Sequence, residues 1–295
     1  MHATPIDPGT IRSLLAGAES SLAEGPHPER ARRDAEALLL YALRQNAPHT
    51  NLAWLLAHLD EALAPDAVSV LRALIVRRRT GEPIQHITGV AEFYGLSFLV
   101  NRNVLIPRPE TEHLVEKAIT LAADFKHPRI ADVGCGSGAI AVTLAAKLPA
   151  AQMTATEISA PALAVARENA ALNGIADRIH FLEGDLLAPV AGEQFDIVVS
   201  NPPYVPQGDR DALSVEVRDY EPAQALFAGT DGLAIYRRLI PAAFGALVRG
   251  GFLVLEIGHG QQEAIRALLA GAGLIEVEFT PDLQGIARVA TARKP

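Results

Sequence analysis

Asn201-Pro202-Pro203-Tyr204 combines residue types that could do chemistry on an amino group. The tetrapeptide follows Phe195-Asp196-Ile197-Val198-Val199-Ser200, an apolar run that reads as a buried strand. Each proline fixes its own φ and lacks an N–H, and Pro203 also holds Pro202 extended. The strand therefore ends in a rigid turn that is poor in donors. Asn201 can offer its side-chain oxygen, and Pro202 its backbone carbonyl. Two acceptors facing one pocket suit an –NH2 group, and Tyr204 can lie against a flat amide or base. An ordinary strand-ending turn is the plain alternative, because Asn-Pro is a common turn former.

A second constellation is Asp132-Val133-Gly134-Cys135-Gly136-Ser137-Gly138-Ala139, which closes one strand and opens a helix. Glycines belong where backbone turns tightly and a ligand approaches closely. Glu157 ends the next strand, where a carboxylate can accept from both hydroxyls of a ribose. Gly134, Gly136 and Ala139 also satisfy the dinucleotide fingerprint, with an acid about 20 residues on. Two features favour S-adenosylmethionine over a nicotinamide dinucleotide. Asp132 directly precedes the loop and can order its amides near an amino-acid ammonium. Asp185 and Leu186 end a third strand, where the carboxylate can take an adenine amino group and Leu186 can pack on the ring. Asp185 as a helix cap is the alternative. No His or Tyr-Lys pair is placed to handle a hydride, and Cys135 reads as a small loop filler. No metal-ligand set is read.

These residues need a scaffold. Candidate strands Arg129–Val133, Met153–Glu157, Ile179–Glu183, Phe195–Ser200, Gly251–Ile257, Ile275–Thr280 and Ile286–Thr291 recur with helices between the earlier ones, notably Ala139–Lys147, Ala160–Asn173, Leu233–Leu247 and Gln261–Ala270. That alternation predicts an α/β fold with a doubly wound, mostly parallel seven-stranded sheet and ligands at the strands' carboxyl ends. Residues up to about 80 read as helices only. Ile11, Leu14, Leu15, Ala18 and Leu22 follow a Thr10 cap; Ala35, Leu38, Leu39 and Ala42 mark a second helix. Thr50 can cap a third, and Pro65-Asp66 starts a fourth that ends in Arg77-Arg78-Arg79. Those arginines read as a solvated helix end, favoured by the dipole, or as a partner-binding cluster. The expected organisation is a helical docking domain over 1–80, a linking β-hairpin over 81–105 and a catalytic domain over 106–295.

The 295 residues carry 26 basic and 34 acidic side chains, a net charge of −8. This argues mildly against non-specific nucleic-acid binding. A single cysteine excludes an internal disulfide and suits a reducing compartment. Met1-His2-Ala3-Thr4-Pro5 lacks the charged and apolar regions of a signal peptide, and no apolar run approaches the roughly 18 residues of a membrane span. A cytoplasmic protein is expected.

Further strings make the chain recognisable. They are Arg78-Arg79-Thr80-Gly81-Glu82-Pro83-Ile84-Gln85-His86, Phe93-Tyr94-Gly95-Leu96, Ile106-Pro107-Arg108-Pro109-Glu110-Thr111-Glu112, Tyr220-Glu221-Pro222 and Leu255-Glu256-Ile257-Gly258. With the glycine loop, Glu157, Asp185-Leu186 and Asn201 to Tyr204, they closely resemble the peptide chain release factor glutamine N5-methyltransferases, over nearly the whole chain. His86, where such sequences usually carry Tyr, and Ala223, where a basic residue is common, depart from the pattern.

The resemblance implies a class I S-adenosylmethionine-dependent methyltransferase acting on the side-chain amide of the glutamine in the Gly-Gly-Gln loop of class 1 release factors. Asn201, Pro202 and Tyr204 would be catalytic, with Pro203 lining the substrate slot. Asp132, Gly134, Cys135, Gly136, Ser137, Gly138, Glu157, Asp185, Leu186 and Asn201 would serve the cofactor. Arg108 and Glu110 would cover the cofactor or pin the hairpin by a salt bridge. No catalytic histidine, no sequence-specific nucleic-acid contact and a monomer are expected. The rival readings are a glutamine methyltransferase of a ribosomal protein, an amino methyltransferase that flips a nucleic-acid base into the same pocket, and a non-catalytic cofactor sensor.

Overall fold

The computed structural model describes residues 9–295. Met1-His2-Ala3-Thr4-Pro5, where no signal peptide is expected, lies outside the described residues. The chain divides into two compact units: residues up to Gly89 with Ser214–Tyr220, and Val90–Leu213 with Glu221–Pro295.

The first unit is helical, with α1 (Ile11–Ala23), α2 (Ala31–Arg44), α3 (Leu52–Ala57), α4 (Pro65–Arg79) and α5 (Ile84–Thr88). Thr10 caps α1, its side chain accepting from Ser13 N at 3.4 Å. Ile11, Leu14, Leu15, Ala18 and Leu22 form the buried stripe of α1, and it packs into one core with Leu38 and Leu39 of α2 and Leu71 of α4. The cap of α3 is Asn51 rather than Thr50: Asn51 Oδ1 accepts from Trp54 N at 2.9 Å, while Thr50 Oγ1 donates to Ala47 O.

Arg78 departs from the solvated helix end expected of the arginine cluster. It is buried, with Nε donating to Asp34 Oδ2 at 2.6 Å and Nη1 lying 2.6 Å from Glu216 Oε1. Glu216 belongs to α9 (Val215–Tyr220), the later segment that joins this unit. A helix end that looks solvated by composition is thus neutralised by two acids that lie far away in the chain.

The second unit opens with an antiparallel hairpin, β1 (Val90–Phe93) and β2 (Leu96–Leu99). The hairpin expected over 81–105 is shorter, because Ile84–Thr88 close into α5 with Gly89 as its left-handed cap. There follow α6 (Glu112–Ala122), β3 (Arg129–Val133), α7 (Ala139–Lys147), β4 (Gln152–Glu157), α8 (Ala160–Leu172), β5 (Ile179–Glu183) and β6 (Phe195–Ser200). After α9 come α10 (Ala223–Leu226), α11 (Ala234–Ala246), β7 (Leu247–Glu256), α12 (Gln262–Gly271), β8 (Ile275–Pro281) and β9 (Ala287–Arg293).

The seven-stranded sheet has the order β5-β4-β3-β6-β7-β9-β8. All neighbours are parallel except β9, which runs antiparallel to both β7 and β8. Helices cover both faces, so β3, β4, β6 and the end of β7 are buried runs of small and branched residues. The β7 strand begins at Leu247, before the apolar run at Gly251, because its pairing jumps from Phe195↔Leu247 to Ile197↔Phe252. Gly251 sits where a Cβ would meet Asp196 O at 2.8 Å. The chain starts in the middle of the sheet at β3, moves outward to β5, and returns beside β3 as β6. That reversal is a topological switch point, and a crevice opens outside the carboxyl ends of β3 and β6.

Candidate active site

The loop after β3 turns through three glycines with positive φ: Gly134 (+74°), Gly136 (+54°) and Gly138 (+80°). Gly134 N and Cys135 N both donate to Thr156 O, at 2.8 and 3.0 Å, which ties the loop to the end of β4. A Cβ at Gly134 or Gly136 would meet only open space, and both residues line the crevice. A Cβ at Gly138 would meet Ala166 Cβ at 3.1 Å, so this glycine lets α7 approach α8. Cys135 and Ser137 also line the crevice; Gly138 does not.

Asp132 is fully buried beneath the loop and does not line the crevice. Its Oδ2 accepts from Ala141 N at 3.0 Å in the first turn of α7, and its Oδ1 has no hydrogen-bond partner among the described residues. Burial pushes its carboxyl up to about 7; the Ala141 amide opposes the shift and the charge of Glu157 adds to it. The acid therefore supports the helix behind the loop.

Glu157 stands at the end of β4, on the crevice wall. Gly136 N and Ser159 N donate to its two oxygens, each at 2.9 Å, so the carboxylate is oriented before anything binds. Across the crevice, Asp185 pairs with Arg238 of α11, and both line it. Leu186 lies beside them with φ +49°, a left-handed conformation that costs a non-glycine residue roughly 1–2 kcal/mol. Strain of this kind persists where surrounding structure holds it, often at functional sites.

Asn201, Pro202 and Pro203 form the wall beyond the end of β6. Ser200 Oγ donates to Val133 O at 2.6 Å and locks the ends of the two strands together. Asn201 Nδ2 donates to Thr111 Oγ1 at 3.1 Å, and the Thr111 hydroxyl donates to Glu256 Oε2 at 2.6 Å. Thr111 and Glu256 are both buried. Burial pushes the Glu256 carboxyl up to about 7; Thr111, Arg288 and Asn201 oppose this and Glu110 adds to it. The Tyr204 ring is turned to Gly258 and is not part of the crevice wall; burial raises its phenol to about 12.

Arg108 lines the crevice and forms an ion pair with the buried Glu221, which also accepts from Ile106 N at 3.3 Å. Glu110 lies off the wall. The hairpin is held by Asn169 of α8, which is fully buried. Its Oδ1 accepts from Leu99 N at 2.6 Å, and its Nδ2 donates to Leu99 O and to Ser137 O.

The crevice thus gathers Arg108, Gly134 to Ser137, Glu157, Asp185, Leu186 and Asn201 to Pro203, while Asp132, Gly138, Glu110 and Tyr204 stand behind its walls. Sequence reasoning assigned no role to Thr111, Asn169, Glu221 or Glu256. Glu256 carried a signal: it is a lone carboxylate closing the apolar run Phe252-Leu253-Val254-Leu255. Buried charge is rarely tolerated without a partner.

Two families match the chain: the PrmC N-terminal domain over residues 13–89 and the methyltransferase small domain over 111–218. A release factor glutamine methyltransferase of Geobacter sulfurreducens is 41% identical over 96% of this chain and 96% of its own. That of Moorella thermoacetica is 44% identical, over 94% of this chain and 95% of its own. Among solved structures, the hMettl16 catalytic domain in complex with the MAT2A 3′UTR hairpin 6 aligns with a TM-score of 0.56 at 19% identity, covering 78% of this chain and 81% of its own. The Thermus thermophilus 16S rRNA N2 G1207 methyltransferase, in complex with AdoMet and guanosine, aligns with a TM-score of 0.51 at 17% identity, over 70% of this chain and 50% of its own. At such identities these two neighbours speak for the methyltransferase fold alone, whereas the whole-length identity of the first two carries the assignment: the chain belongs to the release factor glutamine methyltransferase family.

Proposed function

We propose that this methyltransferase transfers a methyl group from S-adenosylmethionine to the side-chain amide nitrogen of the glutamine in the Gly-Gly-Gln loop of class 1 release factors. The observation that carries the reading is that Asn201-Pro202, after β6, and Glu157, at the end of β4, line one crevice from either side of β3.

The residues fit the cofactor. Gly134 and Gly136 turn bare backbone to the crevice, Glu157 offers an oriented carboxylate to ribose hydroxyls, and Asp185 and Leu186 suit an adenine edge and face. When bound, S-adenosylmethionine supplies an electrophilic methyl on a cationic sulfur. An amide nitrogen is a poor nucleophile because its lone pair is delocalised into the carbonyl. Asn201 Oδ1 and the Pro202 carbonyl each hold one amide hydrogen of the substrate, which stops the nitrogen from rotating. Positioning of this kind supplies roughly 7–11 kcal/mol at best. The same acceptor dipoles favour the positive charge that grows on nitrogen. The product loses its extra proton readily, so no histidine is assigned a part.

The N-terminal domain over 1–80 serves as the docking surface for the protein substrate, the segment 81–105 with its β1–β2 hairpin as the linker and 106–295 as the catalytic domain of a monomeric, cytoplasmic enzyme. Among the described residues no helix is long and apolar enough to cross a membrane.

The test is mass spectrometry of unmethylated release factor after incubation with the protein and S-adenosylmethionine. A gain of about 14 daltons, one CH2, on the Gly-Gly-Gln glutamine supports the reading. Cofactor binding without that gain moves the substrate to a ribosomal protein or a nucleic-acid base.

A further inference from the structure

We propose that Thr111 and Glu256 are positioning residues that decide which end of the Asn201 amide faces the crevice. This rests on the reading of Asn201 as the acceptor for the substrate amide.

The argument is an inventory of hydrogens. Thr111 has one hydroxyl hydrogen and donates it to Glu256 Oε2 at 2.6 Å. An ionised carboxylate can only accept. The Thr111 oxygen is then left to accept, and it takes a hydrogen from Asn201 Nδ2 at 3.1 Å. With its nitrogen end committed to Thr111, the amide presents its oxygen on the other side, towards an incoming –NH2 group.

A proton taken up on Oε2 of Glu256 reverses each bond. The carboxyl proton goes to the Thr111 oxygen, the Thr111 hydrogen turns to Asn201, and the amide satisfies it only by rotating so that its oxygen points inward. The crevice then meets an NH2 group, and two donors oppose each other where the substrate nitrogen must lie. Apart from the O–H bond that Glu256 gains from a solvent proton, only hydrogen bonds change.

The surroundings make this carboxyl responsive. Glu110 repels its charge from the turn before α6, and Arg288 favours it from β9. Asn201 and Tyr204 face it from the loop after β6, and Tyr236 from α11; the Tyr236 hydroxyl itself donates to the Glu256 backbone carbonyl at 2.7 Å. Both members of the relay are buried, with Thr111 at 4% and Glu256 at 2% exposure, so bulk water cannot substitute for either bond.

The experiment has two independent readouts on the full chain. In the first, the side-chain amide resonance of Asn201 in 15N-labelled protein, assigned by its loss in Asn201→Asp, is followed against pH without substrate. It is expected to titrate with a midpoint near about 7 in the wild type. It should not move with pH in Glu256→Gln, whose side chain cannot ionise. In the second, single-turnover methylation of release factor is measured with saturating S-adenosylmethionine. The wild-type rate should rise through the same pH range. Glu256→Gln should lose this rise with pH, with cofactor affinity held within about twofold. Thr111→Val should lose the pH dependence and Thr111→Ser should restore it. A pH-independent Asn201 resonance, or a wild-type rate and profile in Glu256→Gln, overturns the relay. A titrating Asn201 resonance in a protein that leaves release factor unmethylated upholds the relay and rejects the substrate reading instead.

Discussion

The guanidinium of Arg108 lies on the carboxylate of Glu221, a partner 113 residues further along the chain, and the same carboxylate receives the backbone amide of Ile106. The Ile-Pro-Arg-Pro segment is thereby pinned along the crevice that Arg108 lines, as a salt bridge rather than as a free flap. Because Glu221 is buried while Arg108 is about one-third exposed, removing the acid orphans one buried amide, and the arginine regains water. Glu221→Ala should destabilise the methyltransferase unit by about 1–3 kcal/mol, the cost of the unsatisfied amide, with little from the screened ion pair. Thermal denaturation checks this; an unchanged midpoint would show that the segment is held by its apolar contacts alone.

Glu157 accepts from two loop amides and keeps lone pairs for a ligand. Glu157→Ala should weaken S-adenosylmethionine binding by roughly 10–150-fold, since hydrogen bonds to a charged group are worth about 1.5–3 kcal/mol. Calorimetric titration reads the change directly. Binding at wild-type strength would remove Glu157 from the cofactor site.

Asp132 should make stability depend on pH. Burial raises its folded-state pKa to about 7 from the ordinary value of 3.8, so between these values the folded protein holds a proton that the unfolded chain releases. The stability from this proton is complete below about pH 4 and is lost as pH rises through about 7. Glu256, also raised to about 7, acts in the same direction. By about pH 8 the stability lost through Asp132 amounts to roughly 3–5 kcal/mol. Asp132→Asn, which cannot ionise, should flatten the fall in melting temperature between about pH 5 and pH 8. An equally steep fall in the variant would assign the dependence to other groups.

Arg78 neutralises Asp34 and Glu216 inside the helical unit. Arg78→Ala leaves Asp34 buried without its cation, which should cost about 3–5 kcal/mol. Hydrogen exchange should accelerate at the amides of α2, α4 and Val215–Tyr220 more than in the sheet. Unchanged protection in α2 would argue that water reaches Asp34.

The local features of this protein were legible in the sequence. Periodicity of 3.6 marked α1 and α2, apolar-rich runs marked β3 and β6, and glycines marked the turn after β3. These are properties of neighbouring residues, and neighbouring residues determine φ, ψ and which face is apolar. The loops that line the crevice were legible for the same reason, since each directly follows a strand. Asn51, which displaces Thr50 as the cap of α3, shows the limit of such signals: two capping residues stood side by side.

Tertiary structure decided the rest. Thr111 and Asn201 are 90 residues apart, and Thr111 and Glu256 are 145 apart; no local pattern specifies that they share one hydrogen-bond chain. Their meeting follows from the strand order, which sets β6 beside β7 and brings both strand ends to the turn before α6. Burial, too, is collective: whether Arg78 is a solvated helix end or a buried cation depends on Asp34 and Glu216. By itself the sequence determined the elements, the turns and the residue types at the strand ends. The three-dimensional packing alone decided which of those side chains hold one another in place, because desolvation and hydrogen-bond geometry depend on contacts that chain order does not encode.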